Sequence, residues 1–135
     1  MSLESALEFT LKWEGGYSNN PSDPGGETKY GISKRSHPDI DIANLTLDQA
    51  KEIYRTEYWE ASGCDSLDEP MDMVVFDAAV NLGCRRAKEL LNQSHGDWIH
   101  FLILRIKLYC SISQTTFLKG WINRVVDLYF CATGR

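Results

Sequence analysis

Between Leu3 and Glu14 the apolar residues Leu3, Leu7, Leu11 and Ala6, Phe9, Trp13 recur at three- and four-residue steps, the spacing that lays one stripe along a helix. Ser2 is placed to cap its start and Gly15-Gly16 to end it. From Tyr17 to Ser33 the period is lost, because Asn19-Asn20-Pro21, Asp23-Pro24-Gly25-Gly26 and Gly31 follow one another too closely for a helix. That segment reads as a long turn-rich loop leading into a small hairpin near Thr28 to Ile32. Thr46-Leu47-Asp48-Gln49 has the form of a capping box and predicts a helix to about Trp59, with Leu47, Ala50, Ile53, Tyr54 and Tyr58 available for burial. Pro70 precedes a helix predicted from about Asp72 to Asn92, whose Val75, Ala78, Ala79, Leu82 stripe is small and apolar. Two more helical patterns run from about Asp97 to Ser111 and from Thr116 to Tyr129. The pattern predicts one α+β domain over residues 1–135, mainly α-helical, with a small β-hairpin after the first helix.

Composition narrows the class of protein. A chain of 135 residues, 43% hydrophobic and 24% charged, can bury one sizeable core without staples. Fourteen Lys and Arg against nineteen Asp and Glu give a net charge of −5, and no run of five like charges occurs, which argues against a nucleic-acid partner. Met1 to Ser5 lacks the basic and apolar regions of a secretory signal, and no apolar stretch is long enough to span a bilayer. The expectation is a product made in the cytoplasm with no stable membrane association. Cys64, Cys84, Cys110 and Cys131 are too widely spaced for a paired-cysteine metal motif, and four reduced, mostly buried thiols are expected.

Glu14 breaks a local rule. In the last turn of a helix a carboxylate faces the partial negative charge of unpaired carbonyls, a placement that costs a few tenths to about one kcal/mol and that suits Lys or Arg better. Such misfits gather at functional sites. With Phe9, Trp13 and Tyr17 nearby, the carboxyl is expected to hold its proton more tightly than usual, as a proton donor near neutral pH must. The competing reading is a solvated glutamate at a frayed helix end. Asp23 and Thr28 follow on the far side of the Gly/Pro-rich turn, and an acid on a helix end facing an acid and a hydroxyl is how a glycosidase brackets a scissile bond. Each also has a plain alternative: Asp23 as turn chemistry, Thr28 as a β-branched strand residue.

The stretch from Trp13 to Ser33, with Glu14-Gly15-Gly16-Tyr17 and Asp23-Pro24-Gly25-Gly26-Glu27-Thr28, resembles the signature of glycoside hydrolase family 108, a lysozyme-like group that includes phage endolysins. Further matches are Ile53-Tyr54, Tyr58-Trp59, Phe76-Asp77-Ala78-Ala79-Val80-Asn81-Leu82-Gly83 and Gly120-Trp121-Ile122-Asn123-Arg124-Val125. The resemblance implies a lysozyme-like fold, Glu14 as the catalytic glutamate, and Asp23 and Thr28 as its catalytic partners. It implies peptidoglycan glycan strands as substrate, cut at the β-1,4 bond between N-acetylmuramic acid and N-acetylglucosamine. In phage-type lysozymes the Asp-to-Thr gap is five, against four here. Many members also carry a longer wall-binding region after the position of Leu91, whereas Asn92 to Gly96 leads here directly into the next helix, so residues 1–92 form the catalytic motif region and 93–135 a shortened set of C-terminal helices. A phage or prophage origin, release through a holin or an export system, and a monomeric state are the corresponding expectations.

Asp77 and Asn81, four apart on an apolar helix, share one face. Asn81 could bond a sugar N-acetyl group and Asp77 could hold the active-site loop; the alternative is a satisfied polar pair in the core. Tyr17, Tyr30, Tyr58 and Trp59 could stack on sugar rings, Tyr30 first among them. His95 and His100 are poorly aligned for one helix face and His37 precedes Pro38 in a loop, so no metal is expected, and the chemistry needs no cofactor. Two rival functions remain at this level: a lytic transglycosylase using Glu14 alone, and a non-catalytic wall-binding or secretion-associated protein.

Overall fold

The structure, a computed structural model, describes residues 3–20, 26–112 and 116–134. Among the described residues six α-helices carry the fold: α1 (Leu3–Glu14), α2 (Leu47–Tyr54), α3 (Met71–Leu82), α4 (Cys84–Ser94), α5 (Trp98–Ser111) and α6 (Leu118–Thr133). The sheet is a two-stranded antiparallel hairpin, β1 (Thr28–Lys29) and β2 (Ile32–Ser33), in register Thr28 to Ser33 and Lys29 to Ile32. Ser2 and the segment Pro21 to Gly25, which includes Asp23, lie outside the described residues.

α3 is the axis of the fold. Every residue from Met71 to Ala79 is buried, and the helix packs against α1, α4, α5 and α6. A helix apolar all round belongs in the centre of a bundle, which is where these contacts put it. The helix expected from Asp72 to Asn92 is in fact two, broken at Gly83, whose φ of +95° is open to glycine and whose N–H caps Ala79 at 2.8 Å. The break lets α4 fold back on α3. α5 starts where Asp97 accepts from the N–H groups of Ile99 and His100, and it packs on α6 through stacked pairs Trp98–Tyr129 and Tyr109–Trp121.

The capping box of Thr46 and Gln49 is present, with both reciprocal bonds formed. Leu47 is not part of the core, standing exposed at the first position of α2. Beyond Tyr54 the helix widens to one π turn over Arg55–Glu60. Within this wider turn Trp59 is the buried residue, and the Tyr54 and Trp59 rings both pack edge-on to Phe76 of α3. Tyr58 is left half-buried beside Tyr54, their centroids 5.6 Å apart.

All four cysteines are free, but they are not mostly buried as expected: Cys64 is buried, Cys84 half-buried, and Cys110 and Cys131 stand exposed on the outer faces of α5 and α6. Burial pushes the Cys64 thiol up to about 12, so it stays protonated. Melting curves with and without reductant are therefore expected to coincide; a drop on the scale of a lost bridge, about 2–4 kcal/mol, would contradict free thiols. No described helix is long and apolar enough to cross a membrane.

Candidate active site

α1 ends at Glu14, where Gly15, at φ +79°, turns the chain away and caps Leu11 at 3.1 Å. Three residues later Ser18 exchanges both backbone bonds with Thr28, at 2.8 and 2.7 Å, and so ties the exit of α1 to the hairpin. The hairpin turn is Tyr30-Gly31, with φ of +52° and +79°, the two left-handed residues of a type I′ turn. A tyrosine there is strained by about 1–3 kcal/mol, and the surroundings hold it: the Tyr54 hydroxyl donates to the Tyr30 carbonyl. Gly31 is required for a second reason. A Cβ at this position would lie 2.8 Å from Glu14 Cβ and closer still to the Tyr54 hydroxyl. The turn thus lies directly on the stem of Glu14.

Beneath Glu14 is a buried ionic cluster. Arg124 of α6 donates from Nη1 to Glu14 Oε2 at 3.0 Å, and from Nε and Nη2 to the Asp77 carboxylate at 3.1 and 2.8 Å. Arg105 of α5 donates from Nη1 to Asp77 Oδ2 at 2.8 Å and from Nε to the Tyr109 hydroxyl at 2.9 Å, and Tyr109 donates in turn to Asn81 Oδ1. Thr10 of α1 gives Asp77 a further bond at 2.9 Å. Asp77 and the Arg105 side chain are fully buried, the Arg124 side chain is 5% exposed and that of Glu14 is 22% exposed. A second clamp holds the same junction, where Trp13 donates to Asp127 of α6 at 3.2 Å.

Burial raises the Glu14 carboxyl above its ordinary range, opposed by Arg124 and reinforced by the charge of Asp77. The direction is the one expected from sequence, but the surroundings differ. Tyr17 does not shield Glu14; it is half exposed and bonds Glu27. The enclosing groups are the Gly31 turn, Tyr54 and Tyr58, both hydroxyls being raised chiefly by burial and further by the nearby Glu14 charge. For Asp77 burial pulls upward, yet the two arginines outweigh it and the carboxyl stays ionised.

The structure therefore brings Glu14, Tyr30, Tyr54 and Tyr58 together, with Thr28 in the adjoining strand and Asn81 linked through the buried cluster. Asp77 does not hold a loop; it is the buried counter-ion of two arginines. Trp59 belongs to the core, with its indole N–H on Asp65, and is withdrawn from sugar stacking. Arg124, Arg105 and Tyr54 were not assigned roles from sequence. Their signal was present in part: Arg105 and Tyr109, one helical turn apart among buried apolar residues, mark an arginine facing inward. No group of metal-ligating side chains occurs among the described residues.

A helical bundle in which a small hairpin covers a mostly buried glutamate at the end of the first helix is the architecture of a lysozyme-like glycoside hydrolase. The family model described as Glycosyl hydrolase 108 matches residues 7–83, more than half of the chain, and the chain belongs to that family. Among solved structures it is similar to that of SagA from Brucella abortus, at 25% identity over 98% of this chain and 94% of that one, with a TM-score of 0.84. No curated protein matches it significantly. The matched region contains Glu14 and Asp77, while Arg105 and Arg124 lie beyond it in the C-terminal helices.

Proposed function

We propose that the protein is an N-acetylmuramidase, a peptidoglycan hydrolase of the lysozyme-like kind that cuts the β-1,4 bond between N-acetylmuramic acid and N-acetylglucosamine. The observation that carries this reading is Glu14 itself, enclosed under the Tyr30-Gly31 turn and held by Arg124 at 3.0 Å. Burial shifts the carboxyl toward its protonated form, the one that donates to the glycosidic oxygen; once the proton has left, Arg124 stabilises the carboxylate that remains. The leaving sugar takes the proton, and water supplies the hydroxyl to the anomeric carbon. Asp23 would stabilise the cationic sugar or activate that water, with Thr28 orienting it. Tyr17, Tyr30 and Tyr58 offer ring faces to the glycan. Because Tyr109 donates to Asn81 Oδ1, the Asn81 amide has its two N–H donors left for an acceptor such as an N-acetyl carbonyl.

Mass spectrometry of purified peptidoglycan digested by the protein tests the reading. Muropeptides with reducing N-acetylmuramic acid ends are expected. Ends in 1,6-anhydro form would replace hydrolysis by transglycosylation with Glu14 alone, and an undigested wall would refute catalysis.

A further inference from the structure

Arg124 is shared between two carboxylates, and the sharing is unequal. Two of its nitrogens, Nε and Nη2, donate to Asp77, while Nη1 alone reaches Glu14. Asp77 is itself contested, because Arg105 donates to the same carboxylate from the opposite helix. With Glu14 ionised the four groups sum to zero charge; with Glu14 protonated the cluster carries one net positive charge. None of the other three can move to relieve that imbalance. Asp77 and Arg105 are fully buried, and Arg105 is also fixed by Tyr109, itself stacked on Trp121. The balance must therefore be felt at Glu14, the cluster's most exposed member.

We propose that Asp77 and Arg105 are positioning residues that never touch the glycan, and that they set how strongly the Arg124 guanidinium bears on Glu14. Asp77 draws Arg124 off Glu14, and Arg105 weakens that draw by neutralising Asp77. The proposal rests on Glu14 as the proton donor. The charged and titratable groups around Glu14 are Arg124 from α6, with Asp127 one turn on, Asp77 from α3, Arg105 from α5, and Tyr54 and Tyr58 from α2 and its π turn. Of these, Arg124, Asp77 and Arg105 form the continuous chain of ion pairs with Glu14.

The test uses two substitutions that both weaken the buried cluster but have opposite electrostatic sign. In Asp77→Asn the full charge of Arg124 falls on Glu14, which then ionises at lower pH. In Arg105→Gln the freed Asp77 draws Arg124 away, and Glu14 ionises at higher pH. The Glu14 carboxyl midpoint, followed by carbon NMR, is expected to move by a few tenths to about one pH unit, downward in the first variant and upward in the second. The alkaline limb of wall digestion should follow it, since a donor works only while protonated. A merely structural role would lower stability in both variants and move both midpoints the same way or not at all, and either result overturns the proposal. Opposite NMR shifts with an unmoved alkaline limb would support the sharing and refute Glu14 as the donor. Should a variant fail to fold, the wild-type protein decides. The Arg105 Nε resonance must titrate with the Glu14 midpoint, and an Arg105 signal that stays still through that transition overturns the proposal.

Discussion

Glu14→Gln is expected to abolish nearly all wall digestion while leaving a folded protein that melts no lower than the wild type near neutral pH. The loss follows from removing the carboxyl proton at the place where the hairpin turn and Arg124 converge; general acid catalysis typically contributes about 10²- to 10⁴-fold, and a glutamine amide is no acid in its place. The stability half of the expectation comes from linkage. Burial raises the Glu14 carboxyl in the folded state relative to an unfolded chain, so its contribution is fully present below the unfolded value, roughly pH 4.3, and is lost as pH rises through the folded value. Above the folded value the wild type therefore bears the cost of an ionised, mostly buried carboxylate, partly offset by Arg124. Glutamine removes that cost and keeps an oxygen to accept from Arg124 Nη1. Digestion assays and melts at pH 4 and pH 7 check both halves. Half-retained activity would remove Glu14 from the mechanism, and a variant that melts far below the wild type at pH 7 would show that the Glu14–Arg124 pair stabilises more than burial costs.

Elements with local signals were legible in the sequence. α1, the Thr46 capping box, the helix starting near Asp97 and the hairpin near Thr28 to Ile32 each carry their instruction within a few residues. Two features were not. Gly83 sits inside a continuous helical pattern, and only the packing of α4 back on α3 makes it a break; the π turn exists because Trp59 is drawn to Phe76, a residue 17 positions on in sequence. The site divides the same way. Glu14 could be singled out because a carboxylate at a helix C-terminus contradicts a local preference. Asp77 looked like one member of a local pair with Asn81, yet its partners Arg105 and Arg124 lie 28 and 47 residues away, and Arg124 reaches Glu14 across 110. Spacing along one helix carries no information about cations arriving from two others.

That same convergence makes Asp77 the position where a single substitution should cost the most stability. Asp77→Ala removes one carboxylate and leaves two buried guanidiniums, Arg105 wholly enclosed and Arg124 with only Glu14 to face. It also orphans the hydroxyl of Thr10, which is fully buried, and adds to the strain on Arg105, whose Nη2 has no partner among the described residues even in the wild type. Breaking a buried pair by deleting one member costs about 3–5 kcal/mol, because the surviving charge stays buried. For a domain of this size that is a fall in melting temperature on the order of 10–20 °C. The pH dependence gives the loss a signature. Burial raises the Asp77 carboxyl but the two arginines more than reverse this, so its folded value is depressed; the stability it supplies is present above the unfolded value, roughly pH 3.9, and is lost as pH falls through the folded one. Wild type and variant should therefore differ most near neutrality and converge as the pH drops below about 4. A variant that melts within 3 °C of the wild type at pH 7, a difference of roughly 1 kcal/mol or less, would mean that water or a shifted backbone neutralises the arginines. Asp77 could then no longer be regarded as the post on which α1, α3, α5 and α6 are joined beneath Glu14.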